Sequence, residues 1–316
     1  MAVRRITPEA YRRWTWAALV FLSIIILTGA AVRLTGSGLG CSRWPQCEKG
    51  TLVGAANSHQ LIEQVNRLFT GLMAVAIMGA LAGSLLRDPR RKDLTRLSLS
   101  LVVGFLLQGV VGGILVLSHL HPIALMAHFL LSAVVLVASL VLHQRASEDT
   151  ARAYRPTVPE SVRRLVRVCA AVGVIAVVSG TVVTGTGPHS GSITDKAGKV
   201  EPIKRFGFHL DSVARVHSIL VMVLLGSLLY LFWKIRKTPA WPVLEDRLTA
   251  VLFAVFLQGG VGYAQYFTKL PAGLVAVHIV GATAVVITLT RLVLKTREAV
   301  ALEAAIPPYA SLVPQR

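Results

Sequence analysis

LTGSGLGCSRWPQC, residues 34–47, follows directly on an apolar run and packs three glycines, two cysteines, a tryptophan and a proline into one short loop. VTGTGPHSG, residues 183–191, repeats its Thr-Gly-x-Gly core about 150 residues later, again at the end of an apolar run. At an offset of 149, Thr35, Gly36 and Gly38 recur as Thr184, Gly185 and Gly187. At an offset of 150, Leu107-Gln108-Gly109 recurs as Leu257-Gln258-Gly259, Val111-Gly112 as Val261-Gly262, and His128 as His278. The loop is therefore one marker of a duplicated architecture. An even number of helices separates the copies, so both halves share one orientation, and parallel repeats of this kind usually form two bundles related by an axis along the membrane normal.

The rest of the chain agrees. Of 316 residues 54% are hydrophobic and 15% charged, against about 25% charged in a soluble domain, and mean hydropathy is +0.64. Eight windows lack Asp, Glu, Lys and Arg: 14–32, 68–86, 97–117, 122–142, 168–185, 216–233, 248–267 and 271–290. Allowing for flanking residues, each reaches across a hydrocarbon core of roughly 30 Å as a helix, and lipid requires every backbone group to be satisfied within the span. The runs do not alternate as barrel strands do. The expected fold is an all-α membrane protein, with eight transmembrane helices as two repeated four-helix bundles.

A net charge of +18 is compatible with nucleic-acid binding, but the basic residues sit in short loops between the apolar runs, so no nucleic-acid partner is expected. With the N-terminus inside, 23 of the 33 Lys and Arg fall on the cytoplasmic side, which predicts both termini cytoplasmic and the cysteine loop on the outer face. The first run lacks a small-residue cleavage signature and reads as a retained helix. The expected organisation is an N-terminal four-helix half (1–144), a polar cytoplasmic linker (145–167), a C-terminal four-helix half (168–297) and a flexible tail (298–316).

The chemistry-bearing residues sort by depth. His217 and His278 are expected at matched depth, each within roughly 10 Å of the outer edge of its helix. A lone histidine in an apolar helix is often a hydrogen-bonded packing residue; a depth-matched pair can also hold a flat macrocycle from both faces as bis-His haem ligands. In the first half His128 stands for His278, but no histidine stands for His217. An offset of 151 puts Asn66 there, and an offset of 148 aligns residues 63–67 with 211–215. Asn is a poor iron ligand, so the first-half site reads as open on one face, and His59 serves only if helix two extends outward. Glu63, near the same edge, reads either as a proton acceptor or electrostatic stabiliser or as the partner of Arg67 at i+4. Arg33, Arg67 and Arg215, at outer helix ends, suit propionates or lipid phosphates. Cys41 and Cys47 lie outside, where disulfides persist, and are expected to pair; Cys169 reads as a small apolar filler. The Cys-x-x-Cys-His of covalent haem attachment is absent.

The loop at 34–47, IEQVNRL at the start of helix two, AHF around His128, ARVH at His217 and VHIVGA at His278 together resemble the haem A synthase family, across all eight helices. The resemblance implies oxidation of the C8 methyl of haem O to a formyl group, with water-derived oxygen. It also implies haem b as cofactor on His217 and His278, and haem O as substrate by His128 and Asn66. Glu63 corresponds to the family's acidic position. Many members carry His where this chain has Asn66. Haem O synthase, other cytochrome oxidase assembly factors, membrane lipid and a second copy of the chain are the candidate partners, and the cell membrane is the implied location. A membrane electron-transfer cytochrome with one or two haems, and a duplicated transporter, are the readings from other classes.

Overall fold

A computed structural model describes residues 5–41, 43–47, 49–50, 53, 57–148, 153–191 and 203–300. Eight long helices account for most of them: α1 (Pro8–Leu34), α2 (Ser58–Leu86), α3 (Lys92–Leu117), α4 (Pro122–Ala146), α5 (Glu160–Thr186), α6 (Leu210–Ile235), α7 (Trp241–Phe267) and α8 (Ala272–Lys295). All eight are long and apolar enough to cross a membrane. The shortest, α8, has 24 residues, about 36 Å at 1.5 Å per residue. This is an all-α, multi-pass membrane protein.

The helices overrun the charge-free windows because polar residues can cap them. Thr7 accepts a hydrogen bond from Ala10 N at 3.2 Å ahead of α1, and Asn57 Oδ1 accepts one from Gln60 N at 2.9 Å ahead of α2, so orphan N–H groups of the first turn are satisfied. The prolines at α4 and α8 stand at helix starts, Pro122 inside the first turn and Pro271 at the N-cap, where no N–H is needed. α2 thus begins ten residues before its apolar window, and His59, Glu63 and Asn66 are all helical.

Each half has its own core. Ile77, Leu94, Leu101 and Leu136 centre a cluster built from α1–α4; Leu228, Leu231, Leu244 and Leu248 centre one from α5–α8. The halves meet where α8 packs on α1 and α4, with Val286 and Ile287 against the first core. The outward faces are apolar as well: Phe253 is 67% and Phe256 73% exposed, a surface suited to lipid rather than water.

At the cysteine end the helices stop in matched ways. After α3, His119 N bonds Val116 O and Leu120 N bonds Leu115 O; after α7, Lys269 N bonds Tyr266 O and Leu270 N bonds Gln265 O. These paired bonds are Schellman stops. His119, Leu120, Lys269 and Leu270 have φ of 51°, 57°, 62° and 60°, a left-handed conformation that is costly for side-chain-bearing residues. α1 ends the same way on Gly36 (φ 69°), with Ser37 N bonded to Val32 O at 2.8 Å. That is the physical need behind the first glycine of the opening stretch. Gly38 N then bonds Gly191 O at 2.7 Å, joining the loop to its echo.

The opposite end departs from expectation. Ala153–Pro156 and Arg297–Val300 form an antiparallel strand pair, β1 and β2, reinforced by Thr157 Oγ1 donating to Lys295 O at 2.7 Å. Composition alone made the first of these a linker and put residues 298–300 in a flexible tail. Neither segment is apolar or periodic; each is a strand because the other is beside it. Residues 301–316 lie outside the described residues.

Candidate functional site

A continuous cavity of about 1840 Å³ opens among the helices near the cysteine end, well above the 300–1,000 Å³ usual for one small ligand. His128, His217, His278, Asn66, Glu63 and Trp44 all line it. The sequence-derived residues of both halves therefore face one space.

His217 lies seven residues into α6 and His278 six into α8, so their depths match, although α6 starts further out than its apolar window. Their ring centroids are 6.5 Å apart with planes at 76°. An iron held between two imidazoles at about 2 Å per bond, with about 1.1 Å from each nitrogen to its ring centre, sets the centroids roughly 6 Å apart. The pair fits a haem iron. Ser179 Oγ is 2.9 Å from His217 Nδ1, which holds Nδ1 away from the cavity and leaves Nε2 to ligate. His278 Nδ1 is buried with no hydrogen-bond partner among the described residues; a packing histidine would ordinarily be satisfied. Its ring is held by shape instead, because a Cβ on Gly262 would stand 3.2 Å from its Cε1, as one on Gly180 would stand 3.1 Å from that of His217. Gln258 Nε2 donates to His278 O at 2.7 Å, fixing the helix turn that carries the ring.

The first half repeats this scaffold with an asparagine in place of one histidine. Gln108 Nε2 donates to His128 O at 3.1 Å and to Ser132 Oγ at 2.6 Å. A Cβ on Gly112 would stand 3.3 Å from His128 Cε1, and His128 Nδ1 is again buried without a partner. Thr28 Oγ1 donates to Asn66 Oδ1 at 2.8 Å, and Gly29 is the glycine facing Asn66. Thr28, Gly29 and Asn66 precede Ser179, Gly180 and His217 by 151 residues each. The structure thus selects the offset of 151 over 148, and Asn66 occupies the place of His217. His59 does not substitute for it: its Nδ1 is 2.9 Å from Ser37 Oγ, and it is not part of the cavity lining.

Residues 12–290 match the family model described as cytochrome oxidase assembly protein. The chain belongs to that family. It is similar to the haem A synthase of Listeria welshimeri, at 24% identity over 81% of this chain and 85% of that protein. It also resembles the haem A synthases of Lysinibacillus sphaericus, at 30% over 42% and 44% of the two chains, and of Exiguobacterium sibiricum, at 26% over 46% and 49%. The match to these last two spans about half of each relative's length.

The opening loop roofs the first-half site. Cys41 and Cys47 form a disulfide. Glu63, buried at 6% exposure, accepts Arg67 Nη2 at 2.7 Å and Nε at 3.2 Å on Oε1, and Cys41 N at 2.7 Å on Oε2. Arg67 Nη1 continues to Pro45 O at 2.8 Å. The carboxylate lines the cavity and is also the i+4 partner of Arg67. Trp44 reaches over α3, where a Cβ on Gly113 would stand 3.1 Å from its ring. Cys169 is free and buried in α5.

Of the outer arginines, Arg67 is spent on the roof, Arg33 Nε donates to His189 O at 2.9 Å, and Arg215 lines the cavity. Arg205, not singled out from sequence, caps α5 by donating Nε to Gly187 O at 2.9 Å and Nη2 to Thr184 O at 2.6 Å. Burial draws its guanidinium below its ordinary value, and Arg205 Nη1 has no partner among the described residues. Thr28, Ser179, Gln108 and Gln258 also escaped sequence reasoning. The glutamines stood inside the repeat signature, but nothing in sequence says that they reach a histidine carbonyl.

Proposed function

We propose that this protein is a haem A synthase. Haem b would be held by His217 and His278, and haem O would sit by His128 under the cysteine loop, with its C8 methyl oxidised to a formyl group. The observation that carries the reading is the contrast between the halves: one matched histidine pair at 6.5 Å, and one histidine faced by an asparagine in the same scaffold. A closed bis-His centre suits electron transfer, and a face without a strong ligand suits chemistry. An electron-transfer cytochrome with two closed centres is disfavoured by Asn66.

The overall change is R–CH3 + H2O → R–CHO + 4 H⁺ + 4 e⁻. A haem b held by His217 and His278 would supply a one-electron path out of the site, toward a membrane electron acceptor. The chain's own residues bind and orient. Gln108 fixes the helix turn that carries His128, Gly112 leaves space for its ring, the roof with Trp44 limits water, and Arg33 and Arg215 offer cations to propionates. Both oxygens of Glu63 hold donors, which fits electrostatic stabilisation of developing positive charge better than service as a free base. The excess of Lys and Arg on one set of loops supports cytoplasmic termini, with the roof on the outer face of the cell membrane. On this reading a haem O synthase precedes the protein and oxidase assembly factors follow it.

The test is pyridine haemochrome analysis of the purified full-length protein, produced in cells that make haem O. Haem b with haem O or haem A supports the assignment; haem b alone, or no haem, overturns it. His217→Ala should remove the low-spin haem b signal, and His128→Ala should abolish haem A formation while leaving that signal in place.

A further inference from the structure

Asn66 is more than a lost ligand. Thr28 Oγ1 reaches two acceptors, Asn66 Oδ1 at 2.8 Å and Ile25 O at 3.3 Å, and the shorter bond fixes the amide. With Oδ1 engaged, the amide N–H2 is the end left for the cavity, which Asn66 lines. The second half shows what the position is for. There Ser179 pins Nδ1 of His217 and turns the other ring nitrogen inward. The amide is shorter than an imidazole, so the same backbone place now ends in a donor that reaches less far into the cavity. Among the charged residues that line the same cavity, the arginines Arg33, Arg67 and Arg215 outnumber the carboxylates Glu63 and Asp211, and Glu63 is paired with Arg67.

The geometry points to the face opposite His128 as a binding place for a small anionic or oxygen-donor ligand on the macrocycle's iron, held by a hydrogen bond from the Asn66 amide that Thr28 orients. This deepens the reading of His128 as the first-half axial ligand and rests on it. Asn66 acts here as a donor, not a ligand. A hydrogen bond to a charged partner in a low-dielectric site is worth a tenfold or larger change in affinity.

The experiment uses the full-length protein in detergent, loaded with iron protoporphyrin IX and titrated with azide, read by absorption and electron paramagnetic resonance. The low-spin signal of the second-half centre in each sample serves as an internal control for folding. The wild type should show a second, high-spin haem that binds azide. Asn66→Leu should weaken azide binding about tenfold or more, and Asn66→Asp, which removes the donor and adds charge, at least as much. Thr28→Val should weaken it less. Asn66→His should turn the high-spin haem low-spin and stop azide binding. Azide affinity unchanged in both Asn66→Leu and Asn66→Asp overturns the inference while leaving the function of His128 intact. A high-spin, azide-binding haem that persists in His128→Ala overturns the parent reading, and the inference with it.

Discussion

Glycines decide where His128, His217 and His278 can point. Gly112, Gly180 and Gly262 each face one imidazole at a distance that a side chain would close. A valine at Gly262 is expected to push His278 out of line and cost most of the low-spin second-half haem, while leaving the first-half site loaded. Gly112→Val should do the reverse, and the haem content of the two purified variants checks both. Glu63 poses a different question at this scale, because it is at once a cavity carboxylate and half of an ion pair. Glu63→Gln should keep haem b and lower haem A yield at least tenfold, and an unchanged yield would remove it from the chemistry. Arg67→Gln separates the roles, since it leaves the carboxylate in place but loses the tie to Pro45 O.

Among the elements, the roof and the strand pair show how differently sequence speaks. The roof was legible: its glycines, cysteines and position after an apolar run announced a special loop, and Gly36 proves to sit in the left-handed conformation that favours glycine. Joining Cys41 to Cys47 holds Cys41 N on Glu63. Cys41→Ser is therefore expected to loosen the roof, seen as faster trypsin cleavage after Arg43 with haem b content unchanged; equal cleavage would mean that Glu63 and Arg67 suffice. The β1–β2 pair was not legible. Its strands pair residues 141 to 147 apart in sequence, Ala153 against Val300 and Pro156 against Arg297, and neither carries an alternating pattern that predicts the other. Helix ends were partly legible, since charge-free windows locate spans but not the capped turns that extend α2 and α6 outward.

The whole molecule is two cores sharing one cavity. If the basic loops face the cytoplasm, a cysteine introduced at Lys204 should react with a membrane-impermeant thiol reagent in intact cells, and one at Lys237 only after lysis. The opposite pattern inverts the topology. The sequence by itself determined eight helices, because a bilayer demands long apolar runs whatever their neighbours do. It also exposed the duplication, because residues that recur at a fixed spacing survive in the text of the chain. What it left undecided was the register of the repeat at the site, 148 or 151, and so which residue faces His128's side of the cavity. Only packing settles that: Thr28 meets Asn66 and Ser179 meets His217 across helices 38 residues apart. A side-chain hydrogen bond between neighbouring helices depends on their relative rotation and depth, which no pattern along one helix encodes. The stretch that marked the fold also roofs the site, and its role there comes from Cys41 N on Glu63, a contact made in three dimensions.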